Sequence, residues 1–160
     1  MKLQLCPNPF AFNFIKRLGG KLSEEEFVEI KNKILKFIEK DWPKVNNLIP
    51  KLTGIPWGEE DIVLYIAPEN FPTGGRHYPL MIRYREDFDK FLVILFHELA
   101  HRNFRHGNIK WIEETEEPKV HSIAIKIFKK LYGEKRLKKI ESNLSEKEKI
   151  FWAKAKELNS

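Results

Sequence analysis

His97, Glu98 and His101 stand in the order His-Glu-x-x-His, inside the apolar segment Phe91-Leu92-Val93-Ile94-Leu95-Phe96 and Leu99-Ala100. On a helix, residues four apart lie on one face, one turn above the other. His97 and His101 can therefore offer two imidazole nitrogens to a single ion. Zinc takes two nitrogen ligands plus a third group and leaves a fourth position to water. Glu98, next to the first histidine, reaches that water rather than the metal and can take its proton as general base. The chemistry this predicts is hydrolysis by a water activated on one bound Zn2+. Setting His, Glu and His in an apolar helix is expensive unless each finds a partner.

Such a site needs a third ligand, and the candidates downstream are His106, Glu113, Glu114, Glu116, Glu117 and His121. His106 falls five residues past His101, off the 97/101 face, and reads as a rim histidine. The acidic run from Glu113 to Glu117 suits a helix N-terminus, where carboxylates complement the dipole. Glu117 and His121 share a helical face, so one can bind the ion while the other supports a ligand from behind. Pro118 puts Glu117 at a frayed helix start, whereas His121 lies inside a periodic helix braced by Val120, Ile123 and Ala124. The sequence thus favours His121 as third ligand, with Glu117 the alternative.

The elements that position these residues follow from pattern. Residues 1–9 read as extended. A short helix is expected over 10–18, stopped by Gly19-Gly20. Ser23-x-x-Glu26 forms a capping box ahead of Phe27, Ile30, Ile34, Phe37 and Ile38 at helical spacing. A further helix spans about 43–53. The β-branched run over 62–66 predicts a buried strand, 67–78 a loop, and 80–84 a second strand, with Pro79 suiting an edge. The motif helix runs over about 88–105, capped by Asp87 or Asp89. The second, ligand-bearing helix spans about 115–132, its Pro118 tolerable only in a first turn. Ser145-x-x-Glu148 caps a last amphipathic helix. The expected fold is α+β: a small mixed or antiparallel sheet with an edge strand packed on the motif helix. The organisation expected is one domain over 1–160, with a helical part at 1–58, a catalytic core at 60–132 and a C-terminal helix at 143–158.

The 160-residue chain has 42% hydrophobic residues, 32% charged residues and a net charge of +6, which suits a soluble protein. Its single cysteine, Cys6, excludes an intramolecular disulfide and a cysteine-rich zinc site, and fits a reducing cytoplasm. Residues 1–10 offer no apolar run for a signal sequence, and none elsewhere is long enough to span a bilayer. Lys126, Lys129, Lys130, Lys135, Arg136, Lys138 and Lys139 are opposed only by Glu134 between 126 and 139. Such a run could contact nucleic-acid phosphates, but it brings no groove-reading or stacking motif and is read first as a solvated face.

His97-Glu98-Leu99-Ala100-His101 resembles the signature of zincin-type metallopeptidases. The resemblance covers residues 60–132: strand, edge strand, motif helix, connection and ligand-bearing helix. A downstream glutamate would be similar to the minimal gluzincins, and a third histidine to SprT-like proteases, which act near DNA. The glycine and early third histidine of the metzincin pattern are absent. The resemblance implies a peptide or protein substrate, bound by strand addition along residues 80–84, and a zinc-dependent peptidase activity. His77, Tyr78, Arg83 and Tyr84 flank that predicted cleft, and the sequence does not choose an oxyanion donor among them. A regulatory module of zincin fold, binding one partner without general proteolysis, is the competing expectation.

Overall fold

The computed structural model describes residues 1–58, 61–71, 75–77, 79–84, 87–106 and 113–158; the side chains of residues 8–10, 106 and 113–115 lie outside the description. The chain begins with strand β1 (Leu3–Leu5) and three helices, α1 (Asn8–Arg17), α2 (Glu24–Lys40) and α3 (Trp42–Thr53). Strands β2 (Ile62–Ala67), β3 (Gly75–His77) and β4 (Leu80–Arg83) follow. The rest is helical: α4 (Phe88–His106), α5 (Glu113–Tyr132), α6 (Glu134–Ser142) and α7 (Glu146–Glu157). Among the described residues no helix is long and apolar enough to cross a membrane.

Local chemistry sets most of these boundaries. Both expected capping boxes form: Ser23 accepts from the Glu26 amide and Ser145 from the Glu148 amide, and each glutamate reaches back to its cap. The Asp87 carboxylate accepts from the amides of Asp89 and Lys90 at 2.9 and 3.2 Å and starts α4. Gly54 ends α3 in the left-handed region, at φ 75°. Helix α6 was not expected; its segment read as a basic surface stretch, and what folds it is Leu137 and Ile140, three apart and both buried.

The sheet is mixed, with strand order β1-β2-β4-β3. Strand β1 runs parallel to β2, and the three N-terminal helices make the crossover between them. From β2 the chain passes to the outside of the sheet, forms β3, and turns back through Pro79 into β4. Strand β4 is therefore parallel to β2 and antiparallel to β3. This corrects two expectations. The segment 80–84 is an interior strand rather than an edge, and the edge beside the motif helix is Gly75–His77, inside what read as a loop. Leu80, Met81 and Ile82 are buried in succession, as a strand covered on both faces requires.

Helix α4 packs against α3, α5, β3 and β4. Phe91, Val93, Leu95, Leu99, Ala100 and Phe104 are buried, and so are Glu98 and His101, so nearly the whole circumference of the helix is covered and its polar residues are held in place. One of them is structural: Asn103, with no exposure, accepts from the Thr53 hydroxyl at 2.6 Å and donates to the Ile55 carbonyl at 3.1 Å. Asn103→Ala strands the Ile55 carbonyl without its donor and opens a small cavity. We expect a loss of about 2–3 kcal/mol of unfolding free energy, read as a lower urea midpoint at unchanged slope. A midpoint unmoved by the substitution would contradict this.

Candidate metal centre

Three side chains converge where α4 and α5 meet. His97 Nε2 and His101 Nε2 lie 3.0 Å apart, and Glu117 Oε2 is 3.2 Å from each. They form a group that could hold a metal ion. Tetrahedral zinc with nitrogen and oxygen ligands at roughly 2.0–2.2 Å separates those ligands by roughly 3.3–3.5 Å. The observed triangle is slightly tighter than one face of that tetrahedron.

The donor set also argues for a cation. Each ring nitrogen carries either one N–H or one lone pair, in the ring plane. If both donate to Glu117, two N–H groups face each other across 3.0 Å. If one is a lone pair, it faces a carboxylate oxygen. No arrangement of protons gives all three contacts a linear hydrogen bond, whereas a central cation satisfies all three at once. Burial works to raise the Glu117 carboxyl, but hydrogen bonds with His101 and His97, and their charge, outweigh it and hold the group well below the usual carboxylate range. Glu117 is thus held as a carboxylate.

The favoured third ligand, His121, is not in this group; the alternative, Glu117, is. Two facts absent from the sequence reading explain the exchange. Helix α5 begins at Glu113, so Glu117 is the fifth residue of a formed helix and not a frayed end, and Pro118 is the sixth, at the cost of one backbone hydrogen bond. Helix α7 then claims His121: the imidazole packs 4.9 Å from the rings of both Phe151 and Trp152. Desolvation, reinforced by His97, pushes the His121 pKa down to about 3 against the opposing pull of Glu117, so the ring is neutral. It still touches the site from behind, 5.5 Å from the His97 ring. Nε2 of His121 and Nδ1 of His97 are both buried with no hydrogen-bond partner among the described residues.

Glu98 lies outside the triangle, against the edge strand. Its Oε2 is 3.5 Å from Nδ1 of His77, and the His77 ring stacks on His101 at 5.3 Å. Gly75 makes this placement possible: a Cβ there would lie 2.7 Å from Glu98 Cγ and 2.9 Å from its Oε1. The pleat sends positions 75 and 77 to the same face, so one short strand supplies both the gap and the imidazole. Arg102 fastens the strand to α4, donating to the His77 carbonyl at 3.3 Å.

The roles of Gly75 and Arg102 were not legible in sequence; Gly74-Gly75 gave only a turn signal. Of the residues expected to flank the cleft, Arg83 donates to the Phe71 carbonyl at 3.0 Å, inside the sheet's own loop. Tyr78 and the side chains of His106, Glu113 and Glu114 lie outside the described residues. In comparisons with known proteins, no family model, no curated protein and no solved structure matches the chain.

Proposed function

We propose that this chain is a zinc-dependent metallopeptidase, with His97, His101 and Glu117 as ligands to one ion and Glu98 as general base. The observation that carries the proposal is the triangle of two imidazole nitrogens and one carboxylate oxygen, with a second carboxylate beside it that is not a member. Bound zinc supplies Lewis acidity and lowers the pKa of water at its open position. Glu98 accepts a proton from the attacking water on its carboxylate and delivers it to the departing amine nitrogen of the peptide. Gly75 and His77 hold that carboxylate in place. His121 supports the site by packing behind the His97 ring, 5.5 Å between centroids.

The substrate is an extended peptide that pairs with the outer edge of β3, since β4 is already paired on both sides. A chain adding there passes beside His77 and Glu98. The test is a digest of a reduced, unfolded protein followed by mass spectrometry. Zinc-loaded protein is expected to release peptides, to stop with chelator and to recover on added zinc. Full zinc occupancy without cleavage would overturn the peptidase reading in favour of a metal-holding module that only binds a partner.

Gly75→Ala separates metal from base. We expect zinc affinity within a few-fold of the parent and hydrolysis reduced about 100-fold, because an ångström of displacement at a reacting group carries losses of that order. An unchanged rate would show that the carboxylate is not held by β3.

A further inference from the structure

On the face of the molecule formed by α2, α3 and α6, a cleft of about 490 Å³ is walled by Lys33, Lys36 and Lys40 of α2, Lys44 of α3 and Arg136 of α6. Its floor is apolar and partly aromatic, with Phe88 and Tyr132 among the lining side chains. Positions 33, 36 and 40 follow one face of α2, so the three ammonium groups form a row along the cleft.

The charges do not cancel locally. Asp41 accepts from the Tyr132 hydroxyl at 3.0 Å and lies 3.4 Å from Lys44 Nζ. Lys33 pairs with Glu29 at 2.6 Å. Arg136 is forked onto Asp89 and laid over the Tyr132 ring, 4.5 Å from its centroid. Five cations thus meet three carboxylates, and Lys36 and Lys40 have no ion-pair partner among the described residues. Both are exposed. A row of ammonium groups beside an aromatic floor suits a ligand that carries phosphate on one side and a planar ring on the other.

We propose that this cleft binds a nucleotide unit, with its phosphates on Lys36 and Lys40 and its base on the floor at Phe88, beside the Arg136 guanidinium that covers the Tyr132 ring. The unit can come free or as part of a single strand; the chemistry recognised is the same. This is separate from the metal chemistry: Lys36 and Lys40 are not among the residues of the metal site.

The test is calorimetric titration of the whole zinc-loaded chain with adenosine triphosphate, with a decathymidylate and with a polyglutamate peptide of matched charge. The expected result is binding of at least one nucleotide probe, at least tenfold tighter than polyglutamate, and weakening as salt rises from 50 to 200 mM. Tight binding of adenosine triphosphate alone marks a free nucleotide as the ligand, and tight binding of decathymidylate alone marks a strand; either supports the proposal. Lys36→Glu with Lys40→Glu should weaken binding at least tenfold while zinc affinity and circular dichroism stay at parent values. Phe88→Leu should weaken nucleotide binding about tenfold. Equal affinity for polyglutamate, no nucleotide binding at millimolar concentration, or a double variant that binds like the parent would overturn it.

Discussion

Replacing Glu98 by alanine is expected to leave zinc bound and to lower peptide hydrolysis by a factor of about 100 to 10,000, the range that a positioned general base contributes. The geometry gives the reason for both halves of the result. Glu98 is not one of the three atoms that meet at the α4–α5 junction, so removing it leaves the ligands in place. Its carboxylate instead rests against Gly75 and lies beside His77, where a water or a peptide on the β3 edge would find it. Glu98 is 8% exposed, and its removal deletes a buried charge instead of creating one. The variant should therefore fold at least as well as the parent. Inductively coupled plasma mass spectrometry and the digest assay, run on the same preparation, read the two halves separately. Loss of zinc would make Glu98 a ligand, and retained cleavage would remove it from the reaction.

The second large effect divides Glu117 from His121. In the proposed site Glu117→Ala takes away one of three ligands, and zinc affinity should fall by well over 100-fold. His121→Ala leaves all three ligands and removes only the ring behind His97. Losses on removing such a supporting residue are typically about 10- to 100-fold. Competition with a chromogenic chelator gives both dissociation constants. The reverse ranking, with His121→Ala empty and Glu117→Ala loaded, would mean that α5 rotates on metal binding and that His121 is the ligand. The two variants also differ in stability: His121→Ala removes a ring packed on Phe151 and Trp152, so its apoprotein should be the less stable of the pair.

The contrast between these residues shows what the sequence could carry. His97, Glu98 and His101 were legible because their spacing along a helix fixes their relative positions, whatever surrounds the helix. The Ser23 and Ser145 capping boxes were legible for the same reason, as interactions over three residues. The choice between Glu117 and His121 depended on α7, more than 25 residues further along the chain, whose Phe151 and Trp152 engage one of them. Pro118 reads as a helix start in the sequence, whereas it is the sixth residue of a helix of 20. The edge strand was misplaced because β3 is three residues long and includes a glycine. Strand composition cannot be read from so short a segment, although it is Gly75 that lets Glu98 approach. Strand β1 read as extended chain, but only pairing with β2, across 59 residues from Leu3 to Ile62, makes it part of a sheet.

The most direct measurement is zinc-edge X-ray absorption on the chain loaded with one equivalent of zinc. The proposed site predicts nitrogen and oxygen ligands at roughly 2.0–2.1 Å, with multiple scattering from two imidazoles and no sulfur. It further predicts that Glu117→Ala changes this spectrum or loses the metal, and that His121→Ala keeps the imidazole count at two. Three imidazoles in the parent, falling to two in His121→Ala, would contradict the assignment of His97, His101 and Glu117, and a signal without imidazole scattering would remove the metal from this site altogether.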